Sequence, residues 1–308
     1  MISIVIPVFN EEAVLPELRQ RLEKAANGWG DEYEVIFVDD GSTDRTLEIL
    51  RAYHAENPRL KVLSFARNFG HQIAVSAGLQ FTSGNVVAVI DGDLQDPPEV
   101  LGRFFEKWRE GYQVVYAIRT QRKEGFLLRF CYAVFYRILA RLSDIHIPLD
   151  SGDFCVMDRR VVDVLNQMPE RLRFVRGLRS WVGFRQVGLT YERDARVGGT
   201  SKYTFKKLVR LALDGILSFS YFPLRIASYL GFLVALVAFC GGIGVIIAKI
   251  WHPGVFMRGT TATRLIILFL GGVQLFTIGI LGEYLGRVLD EVKRRPLFVA
   301  KERLGLSD

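Results

Sequence analysis

Two stretches of this chain carry no charge over nearly the width of a bilayer: Ile226 to Ala248 reads IASYLGFLVALVAFCGGIGVIIA, and Leu265 to Gly282 reads LIILFLGGVQLFTIGILG. A hydrocarbon layer is about 30 Å thick, so a helix needs roughly 20 apolar residues to cross it. Backbone polar groups inside that layer must be satisfied within the segment, which commits each run to helix. Two transmembrane helices are therefore expected within 226–285. Lys202, Lys206, Lys207, Arg210 and Arg225 precede the first run, and Arg287, Lys293, Arg294, Arg295, Lys301 and Arg303 follow the second. The connecting loop carries only Lys249, Arg258 and Arg264, an asymmetry that predicts both termini on the cytoplasmic side. MISIVIPVFNEE lacks a basic n-region and enters a strand at once, so no signal peptide is expected.

The net charge of +7 does not indicate nucleic acid, because the basic residues crowd around the apolar runs, where an anionic membrane surface accounts for them. Cys131, Cys155 and Cys240 have no metal or disulfide spacing, and His54, His71, His146 and His252 are scattered. These read as structural thiols and ordinary histidines.

Over the first 117 residues, apolar strand-like runs (ISIVI, YEVIFV, KVLSF, NVVAVI, QVVYAI) alternate with helix-like segments. That alternation predicts an α/β domain, a doubly wound parallel sheet covered on both faces. Ligands of such sheets gather beyond the carboxyl ends of the strands. Four of those ends deliver polar groups: PVFNEE, DDGSTD, ARNFG and DGDLQDPP. Ser42 and Thr43 are placed to cap the helix that follows. The carboxylates Asp91, Asp93 and Asp96 close an apolar run, and uncompensated charge there is costly unless a cation joins it. No G-x-G-x-x-G follows the first strand and no P-loop occurs, so a nucleotide would need another device for its phosphates. Mg²⁺ or Mn²⁺ held by one or two carboxylates is such a device.

Further along, Gly125 to Leu142 and Phe205 to Leu224 mix aromatic and aliphatic residues with arginines and lysines, as interfacial or core-facing helices do. The expected organisation is a catalytic domain over 1–203, a juxtamembrane amphipathic helix over 204–225, the two spans over 226–285 and a basic cytoplasmic tail over 286–308.

The ordered set VIPVFNEE, VDDGSTD, RNFG, DGDLQDPPEV, SGDF, GTSKY, SFSYFPLRI and LGEYLGRV resembles the membrane-anchored polyprenyl-phosphate glycosyltransferases of glycosyltransferase family 2. The group includes the dolichyl-phosphate mannose synthases and the bactoprenol glucosyl transferases, and the last four motifs are most similar to the bactoprenol branch. This resemblance implies a GT-A fold, a UDP-sugar donor, a divalent ion, a polyprenyl phosphate acceptor and a location in the bacterial inner membrane, with homo-oligomers such as tetramers among relatives. By position, it implies that Pro7, Phe9, Glu11 and Asp40 surround base and ribose and that Asp91 faces the nucleotide. Asp93 and Gln95 would hold the metal against the diphosphate, with Gly92 standing where relatives often have Ala or Val. Arg119 and Arg129 resemble lipid-phosphate positions, and guanidinium forks suit phosphate oxygens. Arg196 and Lys202 resemble the loop closing over the diphosphate.

A lipid phosphate is already largely ionised at pH 7, so the implied displacement needs alignment and leaving-group neutralisation more than a strong base. Asp153, in SGDF, stands where related enzymes have been assigned a base, and an orienting role is equally open. A single in-line displacement inverts the anomeric centre. A processive synthase is disfavoured, because RGLRSW (Arg176 to Trp181) lacks the Q-x-x-R-W pattern of that group. A non-catalytic scaffold or lipid-sugar flippase component is the remaining alternative. UDP-glucose is the first expectation for the donor.

Overall fold

The computed structural model describes residues 1–119, 151–171, 173–191, 222–251 and 260–306. Arg129, Arg196, Lys202, the stretch 125–142 and residues 204–221 lie outside the described residues, and of Arg119 only the backbone is described.

Four apolar runs become β1 (Ile2–Val8), β2 (Tyr33–Asp39), β3 (Leu60–Phe65) and β4 (Val86–Val89), paired in parallel in the order β4-β1-β2-β3. They are buried almost throughout because helices cover both faces, as unbroken Val/Ile runs require. α1 (Leu15–Ala26) turns Leu15, Leu18, Leu22 and Ala26 inward as one stripe. α2 (Thr46–Glu56), α3 (His71–Gln80) and α4 (Leu101–Arg109) follow β2, β3 and β4. α3 packs on β1 and β2 so closely that Ala74 through Leu79 are all buried.

The expectation of a parallel sheet holds for these strands and for one further pair, but two antiparallel strands interrupt or edge it. β5 (Val114–Arg119) does not join β4; β6 (Ser151–Asp158) lies between them, antiparallel to both. Phe154, Cys155, Val156 and Met157 are fully buried, and a strand apolar on both faces belongs in the middle of a sheet. Phe154 stacks on Phe104 at 5.0 Å and meets Tyr191 edge-on at 5.5 Å. β7 (Gln186–Tyr191) flanks β5, and β8 (Ala300–Leu304) runs antiparallel to β3. The eight-stranded order is β7-β5-β6-β4-β1-β2-β3-β8. α5 (Arg159–Gln167) is capped by the Asp158 carboxylate, which accepts from Arg160 N at 3.1 Å, and α6 (Val175–Trp181) follows.

The described residues form two units, one carrying the sheet together with the chain from Arg295 onward, the other carrying two long helices. These are α7 (Phe222–Trp251) and α8 (Thr260–Val292), which touch each other. Both are long and apolar enough to cross a membrane, and large side chains such as Phe232 and Leu275 are exposed along them. α8 continues to Val292, well past the uncharged run, and 300–304 is a sheet strand.

Phe154 anchors the inserted strand to one core cluster through Phe104 and Tyr191. Phe154→Ala is expected to cost about 3 to 4 kcal/mol and to lower the thermal midpoint of the detergent-solubilised protein clearly, while Trp181→Ala, on a side chain 62% exposed, leaves it nearly unchanged.

Candidate active site at the carboxyl ends of the parallel strands

The loops after β1 and β2 are stitched together by reciprocal backbone and side-chain bonds. Asn10 N donates to Ser42 Oγ at 2.9 Å, Glu11 N to Thr46 Oγ1 at 3.0 Å, Thr43 N to Asn10 Oδ1 at 2.8 Å and Arg45 N to Glu12 Oε2 at 2.9 Å. Ser42 and Thr43 do not cap α2, contrary to expectation. The Ser42 hydroxyl is engaged by the neighbouring loop, and the Asp44 carboxylate accepts from Thr46 N at 3.0 Å instead. Gly41 makes the turn at φ +70°, and a Cβ there would lie 2.5 Å from the Arg67 carbonyl carbon. Only glycine serves both the backbone angle and the close approach.

Beside this frame lies a cleft of about 410 Å³, lined among others by Phe9, Asp39, Ser64, Arg67 and Lys301. Asp39, not singled out from the sequence, reaches it. Its Oδ1 accepts from Ser42 N at 2.9 Å and its Oδ2 from Ser64 Oγ at 2.8 Å. Asp40 is turned to the β3–α3 loop, where its Oδ1 accepts from Phe69 N at 2.7 Å and its Oδ2 from Gly70 N at 3.0 Å. Burial raises the Asp40 pKa despite those donors. Neither Pro7, buried within β1, nor Glu11 lines the cleft, whereas Phe9 does.

At the end of β4 the acidic loop is tightly held. Asp93 Oδ1 accepts from Gln95 N at 3.1 Å, and Asp96, fully buried, accepts a hydrogen bond from the Tyr191 hydroxyl. Leu94 between them is fully buried yet adopts φ 58°, a left-handed backbone that is strained for leucine. Gly92 has no room for a side chain: a Cβ would lie 2.8 Å from Val8 Cγ1 and 3.0 Å from Pro7 O. An Ala or Val at this position therefore requires the end of β1 to yield.

Antiparallel pairing puts β6 to use here. Val89 faces Cys155, and just beyond these partners Asp91 and Asp153 both come to His71. Arg176 Nε donates to Asp153 Oδ1 at 2.8 Å, Gln72 Nε2 to Asp153 Oδ2 at 2.9 Å, and His71 Nε2 lies 3.3 Å from Asp153 Oδ2 and 3.6 Å from Asp91 Oδ1. Burial works against ionising Asp153, but the Arg176 guanidinium and His71 outweigh it and hold the carboxyl well below the usual range. It is a permanent anion with its lone pairs engaged, which suits orientation rather than proton uptake. Desolvation within the cluster opposes the charged imidazole, although much of the ring is open to solvent, and the two carboxylates raise His71 to about 9. His71, read from the sequence as ordinary, is thus an imidazolium in the acidic cluster. Its position directly after the RNFG loop was the available signal.

Burial raises Asp91, and its Oδ1 has no hydrogen-bond donor. Among the described residues no group of three or more His, Cys, Asp or Glu side chains has metal-holding geometry. The donor set nevertheless fits Mg²⁺ or Mn²⁺, which take one or two protein oxygens and complete their shell with phosphate and water. The Asp93 carboxylate and the Gln95 amide oxygen are hard donors, and Asp91 Oδ1, buried without a hydrogen-bond donor and with only His71 at 3.6 Å for positive charge, leaves acceptor capacity in the same acidic loop.

Two outcomes follow from this cluster. Arg176→Ala leaves the Asp153 carboxylate short of its main partner and is expected to destabilise the sheet unit by about 3 kcal/mol, read as a fall in thermal midpoint. The His71 contribution is complete below its unfolded pKa of 6.5 and is lost as pH rises through about 9. The difference in midpoint between wild type and His71→Gln therefore shrinks from pH 6.5 to pH 9.5. A difference constant over that range would contradict a charged His71.

Residues 3–165 match the family Glycosyl transferase family 2. An uncharacterized glycosyltransferase of Bacillus subtilis (strain 168), YkcC, is 46% identical over 99% of this chain and 95% of its own length. A protein of Shigella phage SfX named bactoprenol glucosyl transferase is 44% identical over 98% of this chain and 99% of its own. Among solved structures, glucosyl-3-phosphoglycerate synthase from Mycobacterium tuberculosis, crystallised with Mn²⁺, UDP-glucose and phosphoglyceric acid, has a TM-score of 0.47 and 22% identity, covering 70% of this chain and 77% of that one. With its mixed α/β sheet of GT-A type and its acidic rim beyond β4, the chain belongs to glycosyl transferase family 2.

Proposed function

We propose that the protein transfers a single glucose from UDP-glucose to undecaprenyl phosphate at the cytoplasmic face of the bacterial inner membrane, with inversion at the anomeric carbon. The observation that carries this reading is the likeness over 98% of the chain to a relative named bactoprenol glucosyl transferase. The cleft and the acidic rim, both beyond the carboxyl ends of the parallel strands, support it, as do two helices long and apolar enough to cross a membrane. The product is a lipid-linked sugar for cell-envelope glycan or O-antigen modification.

In this reading the nucleoside occupies the cleft against Phe9 and Asp39, and the diphosphate lies toward Asp91 and Asp93. Asp93 and Gln95 would hold Mg²⁺ or Mn²⁺, which when bound would supply positive charge where the diphosphate departs. Asp153, fixed by Arg176, Gln72 and His71, orients the sugar or the acceptor. A phosphate oxygen of the lipid attacks the anomeric carbon as the bond to the nucleoside diphosphate breaks, so no base need carry the step. Arg119 and Arg129 receive the lipid phosphate, and Arg196 and Lys202 close over the diphosphate. Assembly as a homo-oligomer, a tetramer among the possibilities, belongs to the same proposal.

Purified protein given radiolabelled UDP-glucose, undecaprenyl phosphate and Mn²⁺ is expected to label the lipid. EDTA should abolish the label, and Asp93→Ala should reduce it roughly 100-fold or more. Nucleotide binding without transfer from any sugar nucleotide would favour a non-catalytic scaffold or flippase component.

A further inference from the structure

β8 joins the sheet only after both long helices, yet it supplies part of the cleft wall. Its pairing with β3 runs Val62↔Leu304, Leu63↔Arg303 and Ser64↔Glu302, then jumps to Phe65↔Ala300. Ser64 and Phe65 are adjacent while Glu302 and Ala300 are not, so Lys301 is the extra residue of a β-bulge. A bulge breaks the alternation of side chains and re-aims the residue it adds, and bulges concentrate beside binding sites. The strand is pinned around this residue. Arg51 Nη2 donates to Glu302 Oε2 at 2.6 Å, Ala66 N donates to Val299 O at 2.9 Å, and the Phe298 ring stacks on Phe65 at 4.9 Å. The Lys301 side chain lines the cleft and is exposed; it donates no hydrogen bond to any described residue, and its charge acts on the neighbouring Glu302 carboxyl. Arg67, the other cation of the lining, is engaged with Asn68 O at 3.0 Å and lies over the Phe69 ring at 4.0 Å.

Strand order tells which part of a nucleotide Lys301 meets. Strands in a sheet are about 4.8 Å apart, so β8 lies roughly 19 Å from β4, four spacings away. A donor whose diphosphate sits at the acidic rim of β4 extends its base, not its phosphates, toward β3 and β8. An ammonium only donates, and a carboxylate only accepts. We propose that Lys301 is a nucleotide-contacting residue that donates to a carbonyl oxygen of the base, and that together with Asp39 it selects keto bases over amino bases. Uracil and guanine present a ring N–H beside a carbonyl, which Asp39 and Lys301 complement. On the edge where uracil carries N3–H and O4 and guanine N1–H and O6, cytosine and adenine present an unprotonated ring nitrogen beside an amino group, which leaves an acceptor facing the carboxylate and a donor facing the ammonium. The inference rests on the reading of the cleft as the donor site.

The test is calorimetric titration of the full-length protein in detergent with UDP, GDP, CDP and ADP, in wild type, Lys301→Ala and Lys301→Arg, alongside donor KM and kcat. In wild type, UDP or GDP should bind at least about tenfold tighter than CDP and ADP. Lys301→Ala should weaken the keto nucleotides about tenfold, leave the amino nucleotides unchanged and raise donor KM with kcat little altered, while Lys301→Arg restores most of the preference. Equal weakening of all four nucleotides in Lys301→Ala, or none, would overturn the proposal, because the strand would then only shape the cleft. Wild type that binds no nucleotide at all would instead overturn the donor-site reading on which it rests.

Discussion

A carboxylate withdrawn from water must be given cations or donors, and Asp153 is the group through which that requirement organises this protein. Its partners come from two helices that are far apart in sequence, Arg176 on α6 and both His71 and Gln72 on α3. Gln72 also accepts from Val175 N at 2.9 Å, so the same side chain that serves the anion fixes the start of α6. Satisfying one buried charge therefore locks the inserted strand, the helix behind the parallel half and the short helix after β6 into one arrangement. The acidic rim of β4 inherits its geometry from that lock, since His71 bridges Asp153 and Asp91.

The opposite flank of the site is rigid for a different reason. The loops after β1 and β2 brace one another, because side-chain oxygens of each serve backbone amides of the other. A binding surface made this way loses little conformational entropy when a ligand arrives. Between the two rigid flanks lies Leu94, buried and left-handed, so the acidic loop stores strain just where negative charge gathers. Such strain persists because the Asp96–Tyr191 bond and the packing of Leu94 overdetermine the loop.

How much of this was legible in the sequence depends on the kind of signal. The four parallel strands and the helices between them were readable, because apolar runs with polar termini leave a local periodic trace. β6 was not, since GDFCVM has the composition of any buried segment and its antiparallel insertion is decided by tertiary pairing. β8 was hidden further, because AKERL reads as charged tail and becomes a strand only by covering the edge of β3. Asp39 and Asp40 differ by one residue and therefore point to opposite sides, and sequence alone does not fix which side is the cleft. His71 carries no pattern of its own; its meaning comes from Asp91 and Asp153, which are distant in the chain.

The place of β8 in the chain has a consequence for how the sheet can be assembled. β3 is an edge until β8 arrives, and β8 is synthesised only after α7 and α8. During that interval the nascent domain presents an unpaired strand with Phe65 uncovered, a surface open to pairing with other chains. A fragment trimmed ahead of the long helices to obtain a soluble domain makes the interval permanent. The residues after the second helix are in this sense a built-in edge protector, and a soluble version of the domain needs them grafted back onto β3 rather than discarded.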